Sequence, residues 1–232
     1  MASEFACFLV IHGSPDPRPQ AALDTLIERH RADFAFCGGG ALECQPLSLA
    51  EQLVIFGQRA LTLELRQVRI LPLFLLPGVH VQEDIPAAVA EAQQLLPEMQ
   101  FSISPHLGSS PEMLPLVQQA MQQATATRAV DRWILLSHGS RRPSANQPVE
   151  ILAQQLGATP AYWSVPPLFG SVLAHLSQSA QSQHLGVLTY FLFPGTITDT
   201  IQSQLPTDVV MTEPLYPTAT LIRNLASREL VV

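Results

Sequence analysis

Two consecutive α/β lobes, each a four-stranded parallel sheet with helices on its faces, are the architecture this sequence predicts. Three observations lead there. Short apolar runs alternate with longer amphipathic segments, the pattern of a parallel sheet with crossover helices. The run FLVIHGS at Phe8–Ser14 returns as ILLSHGS at Ile134–Ser140. The run FLLPG at Phe74–Gly78 returns as FLFPG at Phe191–Gly195, and PHLGS at Pro105–Ser109 returns more loosely as PLYPT at Pro214–Thr218. Three matches in one order indicate an internal duplication. The polar, small-residue stretch Ala124–Arg128 is the expected linker, which divides the chain into lobes 1–126 and 127–232.

The first lobe reads element by element. Phe5–Ile11 is an apolar strand, and Pro17–Phe34 a helix with Ala21, Ala22, Leu23, Leu26 and Ile27 on one side. Ala41–Cys44 reads as a short second strand. Ser48 with Glu51 three residues on forms a capping box, so Leu49–Leu65 is a helix. Val68–Leu76 is the third strand. Asp84–Leu96 is a helix with Pro86 in its first turn, where proline is tolerated. Phe101–Ser104 and Glu112–Ala124 complete the lobe as strand and helix.

Composition narrows the function. The chain has 232 residues, 47% hydrophobic and only 13% charged, against about 25% charged in an ordinary globular protein. The net charge is −7, and no basic stripe exists, which argues against nucleic acid as a partner. All 12 basic residues are arginine, so any anionic ligand must be held by guanidinium groups, which suit bidentate carboxylate pairing. Cys7, Cys37 and Cys44 are an odd set without C-x-x-C and read as reduced thiols of a cytoplasmic protein. No signal peptide is evident. The apolar runs are far shorter than the roughly 20 residues of a membrane helix.

In a parallel sheet, ligands sit beyond the carboxyl ends of the strands, at the point where strand order reverses. A 2-1-3-4 order is expected. His12 then follows the first strand, Glu43 stands at the second, and His80 follows the third. Neutral imidazole is a common metal ligand, and two imidazoles suit Co, Fe, Ni or Zn better than Mg or Ca. Two histidines alone are an incomplete shell, fit for a metal that must leave again. Glu43, Glu83 or Asp84 could complete it or accept a proton. The simpler reading of Glu83 and Asp84 is as first-turn acids favoured by a helix dipole. His106 follows a strand within a Gly/Ser/Pro loop, while His30, His175 and His184 read as surface or packing residues.

Gly13 and Gly139 permit tight strand-to-helix turns. Ser14 and Ser140 either cap helices or donate to a ligand. Arg18, Arg141 and Arg142 lie close to the two HGS turns, where they could hold substrate carboxylates or serve as ordinary surface cations. Ser14 lacks a G-x-S-x-G elbow, which argues against a serine hydrolase. Neither GxGxxG nor a P-loop is present.

HGS after the first strand, LE at the second and PLFLLPGVHVQEDIP at the third together resemble the class II chelatases of the sirohydrochlorin cobaltochelatase and ferrochelatase group, in their long two-lobe form. The resemblance covers the whole chain, with HGSRRPSAN and FLFPG as the second lobe's version. It implies ATP-independent insertion of Co²⁺ or Fe²⁺ into sirohydrochlorin, in a cleft between two lobes, for cobalamin or siroheme synthesis. It places the metal-binding histidines on His12 and His80 and the acidic partner on Glu43. Metal and acidic tetrapyrrole would be the partners, with no tightly bound cofactor, and the chain a monomer or homodimer. The second lobe departs from the pattern. His138 persists, but Ile197 faces His80's position and the region of Trp163 faces Glu43's. The chemistry is therefore expected in the first lobe, with the second holding substrate and His138 as a supplementary donor. A non-catalytic metal or tetrapyrrole carrier would use the same histidines. A metal-dependent hydrolase would need a third strong ligand, and neither H-x-H nor H-E-x-x-H occurs.

Overall fold

The computed structural model describes residues 3–126, 128–142, 144–179 and 184–228. Thr127, in the expected linker, lies outside the described residues. Strands and helices alternate from one end to the other. The first series is β1 (Ser3–Ile11), α1 (Pro17–His30), β2 (Phe34–Ala41), α2 (Leu49–Thr62), β3 (Gln67–Pro72), α3 (Ile85–Leu95), β4 (Gln100–Ile103) and α4 (Met113–Thr125). The second is β5 (Arg132–Ser137), α5 (Gln147–Leu156), β6 (Thr159–Tyr162), α6 (Phe169–Ser179), β7 (Leu185–Thr189), α7 (Thr196–Gln204), β8 (Val210–Met211) and α8 (Ala219–Ala226).

The strands form two four-stranded sheets, ordered β2-β1-β3-β4 and β6-β5-β7-β8. Every strand pair is parallel. Period-two alternation gives each sheet two buried faces. On one face of the first sheet, Ala6, Phe8, Val10, Val68 and Ile70 pack against Leu53 and Phe56 of α2 and Ile85 and Val89 of α3. The second sheet repeats the arrangement with Ile134, Leu136 and Val187 against Phe169, Leu176 and Ile201. No helix among the described residues is long and apolar enough to cross a membrane. All three cysteines are free thiols, Cys7 and Cys37 buried and Cys44 exposed.

Three elements differ most from the sequence reading, while α2 ends at Thr62 rather than Leu65 and the other bounds shift by one or two residues. Helix α1 stops at His30, so Phe34 opens β2 instead of closing the helix. Strand β2 is Phe34–Ala41, earlier than the expected Ala41–Cys44, and it contains Gly38, Gly39 and Gly40. Glycine is depleted in strands, so the strand signal there is weak. Tertiary packing explains the strand. A Cβ on Gly38 would lie 2.5 Å from the Phe56 ring, and one on Gly40 would lie 2.0 Å from the Gln52 side-chain oxygen. The glycines let α2 lie directly on the strand, and Gln52 bonds both the N–H and the C=O of Ala41. Strand β3 ends at Pro72, short of the expected Leu76.

The chain folds as two compact units, Met1–Ser110 with Pro217–Val232, and Pro111–Tyr216. The chain therefore does not change unit near residue 126. Helix α4 packs against β7 and β8, and α8 packs against β3. Each sheet takes its last helix from the other repeat. In the first unit, α8 buries Leu221, Ile222 and Leu225. Arg69 of β3 donates to the Ala226 carbonyl at 2.9 Å, which satisfies an orphan acceptor at the helix end. Arg223 reaches Asp33 at 2.9 Å.

Candidate metal centre

Strand β1 delivers His12 one residue past its end. The next residue, Gly13, has φ +95°, a backbone region that disfavours any side chain. A Cβ there would lie 2.0 Å from the Glu43 carbonyl oxygen. The turn thus rests directly on the Glu43 backbone. The parallel ladder continues past β2 through Leu42 N–H to Ile11 O at 3.1 Å and Glu43 N–H to His12 O at 2.8 Å. Glu43 is therefore a loop residue, not a strand residue as the sequence suggested, yet the ladder pins it beside His12. Cys44 follows at φ 59°, a strained conformation for a non-glycine residue.

Beyond β3, Leu73 N–H bonds Val10 O at 2.8 Å. The chain then turns into a single π-helical turn, His80–Asp84, which leads into α3. The His80 ring stands edge-on to the His12 ring, with centroids 4.6 Å apart and planes at 86°. The Phe74 ring lies 6.0 Å from His80 on centroids.

His12, Glu43 and His80 each offer one donor atom, and the three atoms lie within 4.8 Å of one another. Among the described residues they are the one group of three or more such side chains placed to share a metal. Donors about 2.1 Å from a metal sit at most about 4.2 Å apart, so small side-chain rotations would close the shell. Side-chain exposures are 50% for His12 and 55% for Glu43, and 27% for His80, so a metal can enter from solvent. His12 Nδ1 lies 3.0 Å from the Gly13 carbonyl oxygen. His80 Nδ1 lies 2.7 Å from Asp84 Oδ2. Both partners are acceptors, so each Nδ1–H donates, and in the neutral form of either ring the Nε2 lone pair is then the one left for a metal. His12 Nδ1 is 4.0 Å from Glu43 Oε2.

The remaining candidates are placed as follows. Ser14 Oγ accepts from Asp16 N–H at 3.1 Å. Arg18 is clasped by Asp16, Nη2 to Oδ2 at 2.6 Å and Nε to Oδ1 at 3.0 Å, so part of its donor fork is already engaged. In the second unit, Ser140 N–H donates to Asn146 Oδ1 at 2.8 Å, and Ser140 Oγ accepts from Arg142 N–H at 3.2 Å. Arg141 and Arg142 are exposed. His138 Nδ1 lies 3.1 Å from Ser164 Oγ, which donates to the His138 carbonyl at 2.8 Å.

Ser164, one residue past Trp163, is the counterpart of Glu43. Its N–H bonds His138 O at 3.0 Å, as Glu43 N–H bonds His12 O. Ile197, at the position of His80, packs with the second sheet's apolar cluster. The second repeat thus keeps one imidazole and replaces the other two donors. Burial pushes the His106 pKa below the ordinary imidazole value, and His106 is not in the donor group.

Duplicated parallel sheets with donors at the strand ends define a chelatase-like fold. A structure of SirB from Bacillus subtilis with Fe³⁺ superposes with a TM-score of 0.81, covering 98% of this chain and 94% of that one at 18% identity. The CbiX family model matches residues 6–124 and 132–230, and the chain belongs to that family. Two curated relatives come from Priestia megaterium. A sirohydrochlorin ferrochelatase is 22% identical over 60% of this chain and 55% of its own length. A sirohydrochlorin cobaltochelatase is 28% identical over 57% of this chain and 47% of its own length. The chain thus spans about half the length of the curated relatives it matches.

Proposed function

We propose that this protein inserts a divalent metal, Co²⁺ or Fe²⁺, into sirohydrochlorin without ATP. The observation that carries the reading is the His12–Glu43–His80 donor group at the strand ends of a CbiX-family chain. The relatives named sirohydrochlorin ferrochelatase and cobaltochelatase support the substrate class.

In this mechanism His12 and His80 take the metal from water through their Nε2 lone pairs. Glu43 serves as third ligand while the metal waits and as proton acceptor when it leaves. Insertion exchanges one M²⁺ for two ring N–H protons, one passing to Glu43 and the other to solvent. A half-exposed site of two imidazoles and one carboxylate holds metal weakly enough to release it. The macrocycle's carboxylates need cationic or hydrogen-bond-donating partners, a role proposed for Arg18, Arg141 and Arg142 as cations and for Ser14, Ser140 and His138 as donors. Binding energy from those remote groups can hold the ring bent toward the metal. The deciding test is anaerobic. Metal-free sirohydrochlorin is followed by visible absorption after addition of Co²⁺, Fe²⁺ or Ni²⁺, with wild type beside His80→Ala. Metal-dependent turnover lost in His80→Ala is the expected result. A wild-type rate equal to the protein-free rate would instead favour a carrier.

A further inference from the structure

We infer that Asp84 is a positioning residue for metal transfer, holding the His80 imidazole so that its Nε2 faces the incoming ion. The inference rests on the chelatase reading and adds a residue to it. An acid near a helix start has two ordinary explanations, capping and the helix dipole. The structure speaks against the first and gives the carboxylate a partner that the second does not call for. Asp84 occupies the N-cap position of α3, yet its side chain makes no capping hydrogen bond. The carboxylate instead turns back to His80 Nδ1 at 2.7 Å.

The duplication supplies an internal comparison. Aligning Gly78 with Gly195 sets His80 against Ile197 and Asp84 against Ile201. Both members of the pair are lost together. Ile201 is fully buried in the second sheet's core, with Ile197 packed against the same cluster. The second repeat still carries an acid, Asp199, in the first turn of α7. An acid thus stands near the start of both helices, while the position of Asp84 itself is apolar in the second repeat. The π-helical turn also belongs to the repeat with the pair. His80–Asp84 is π-helical, whereas Thr196–Gln204 is α-helical throughout. Such turns are frequent at functional sites.

A carboxylate on the far nitrogen of a metal-binding imidazole fixes the tautomer, orients the ring and raises its basicity, and its loss typically weakens metal affinity about 10–100-fold. The test is Co²⁺ binding to the metal-free protein without tetrapyrrole, read by the visible Co²⁺ bands and by competition with a chelator. Wild type, Asp84→Ala, Asp84→Asn and His80→Ala are compared, with urea unfolding to confirm that each is folded. Asp84→Ala is expected to bind Co²⁺ about 10–100-fold more weakly with altered bands. Asp84→Asn, which keeps an acceptor without the charge, should fall between it and wild type. In turnover, the KM for metal should rise by a similar factor. Wild-type affinity and bands in both Asp84 variants, with His80→Ala defective, would overturn the positioning role and leave the chelatase reading standing. Co²⁺ binding unaffected by His80→Ala would overturn both.

Discussion

Replacing Gly13 by alanine should damage stability and metal binding together. The residue has φ +95°, and an L side chain on the left-handed side costs about 1–2 kcal/mol. The new Cβ would lie 2.0 Å from the Glu43 carbonyl oxygen, where ordinary contact begins at 3.4 Å. The obstacle is backbone, tied to His12 by its own hydrogen bond, so it cannot swing aside as a flexible side chain would. Overpacking of this kind costs about 1–3 kcal/mol, which makes the combined loss about 2–5 kcal/mol. The required retreat exceeds an ångström, and misplacement on that scale costs on the order of 100-fold in function. Urea unfolding measures the first quantity, and Co²⁺ titration the second. Two glycines serve as controls. Gly78 has no neighbour within 4 Å of a built Cβ, so Gly78→Ala should change stability by no more than about 0.5 kcal/mol. Gly139 has φ +82° and meets Val165 at 2.6 Å, so Gly139→Ala should lose stability without loss of Co²⁺ binding at His12 and His80. A Gly13→Ala protein with wild-type stability and wild-type Co²⁺ affinity would refute the reasoning.

Two further outcomes concern pH. Burial depresses the His106 pKa in the folded state, so the unfolded chain takes up this proton first. Stability should therefore decline as pH falls below the ordinary value of 6.5, by at most about 1.4 kcal/mol per pH unit for one proton, and His106→Phe should flatten that part of a urea-midpoint profile. Asp33 has its pKa lowered by the hydrogen bond from Arg223 and then by that from His30. Its contribution is thus full above the ordinary carboxyl value of 3.8 and is lost as pH falls through the lower folded-state value. Arg223→Ala should cost about 0.2–1 kcal/mol at pH 7, and unfolding curves of the two proteins should converge in strong acid.

What could be read from the sequence followed how local its causes are. The α2 start was legible because its capping box is made by Ser48 and Glu51 alone, and both bonds are present at 2.8 and 3.2 Å. The strand order followed from the alternation of elements and the switch-point rule. His12, Glu43 and His80 could be singled out because strand ends present side chains to one rim. Strand β2 was illegible because what makes a glycine run a strand is the Phe56 ring and the Gln52 amide, distant in sequence. Asp84 carried a signal in its spacing of four from His80, but the same position suits a helix cap, and only the direction of the carboxylate separates the two. The exchange of α4 and α8 left no trace, since an amphipathic pattern says that a helix buries a face and not which sheet receives it.

That exchange has a consequence for how the protein is made. Synthesis proceeds from the amino end, and domains usually fold as they emerge. Here the sheet bearing the candidate metal centre waits for α8, which leaves the ribosome after the entire second unit. Until then the apolar surface that covers Leu221, Ile222 and Leu225 is bare, and Arg69 lacks the Ala226 carbonyl. The second unit, by contrast, receives α4 before its own first strand is made. A gene cut at the repeat boundary would separate each sheet from the helix that closes it, so the two halves, although copies in sequence, are no longer independent modules.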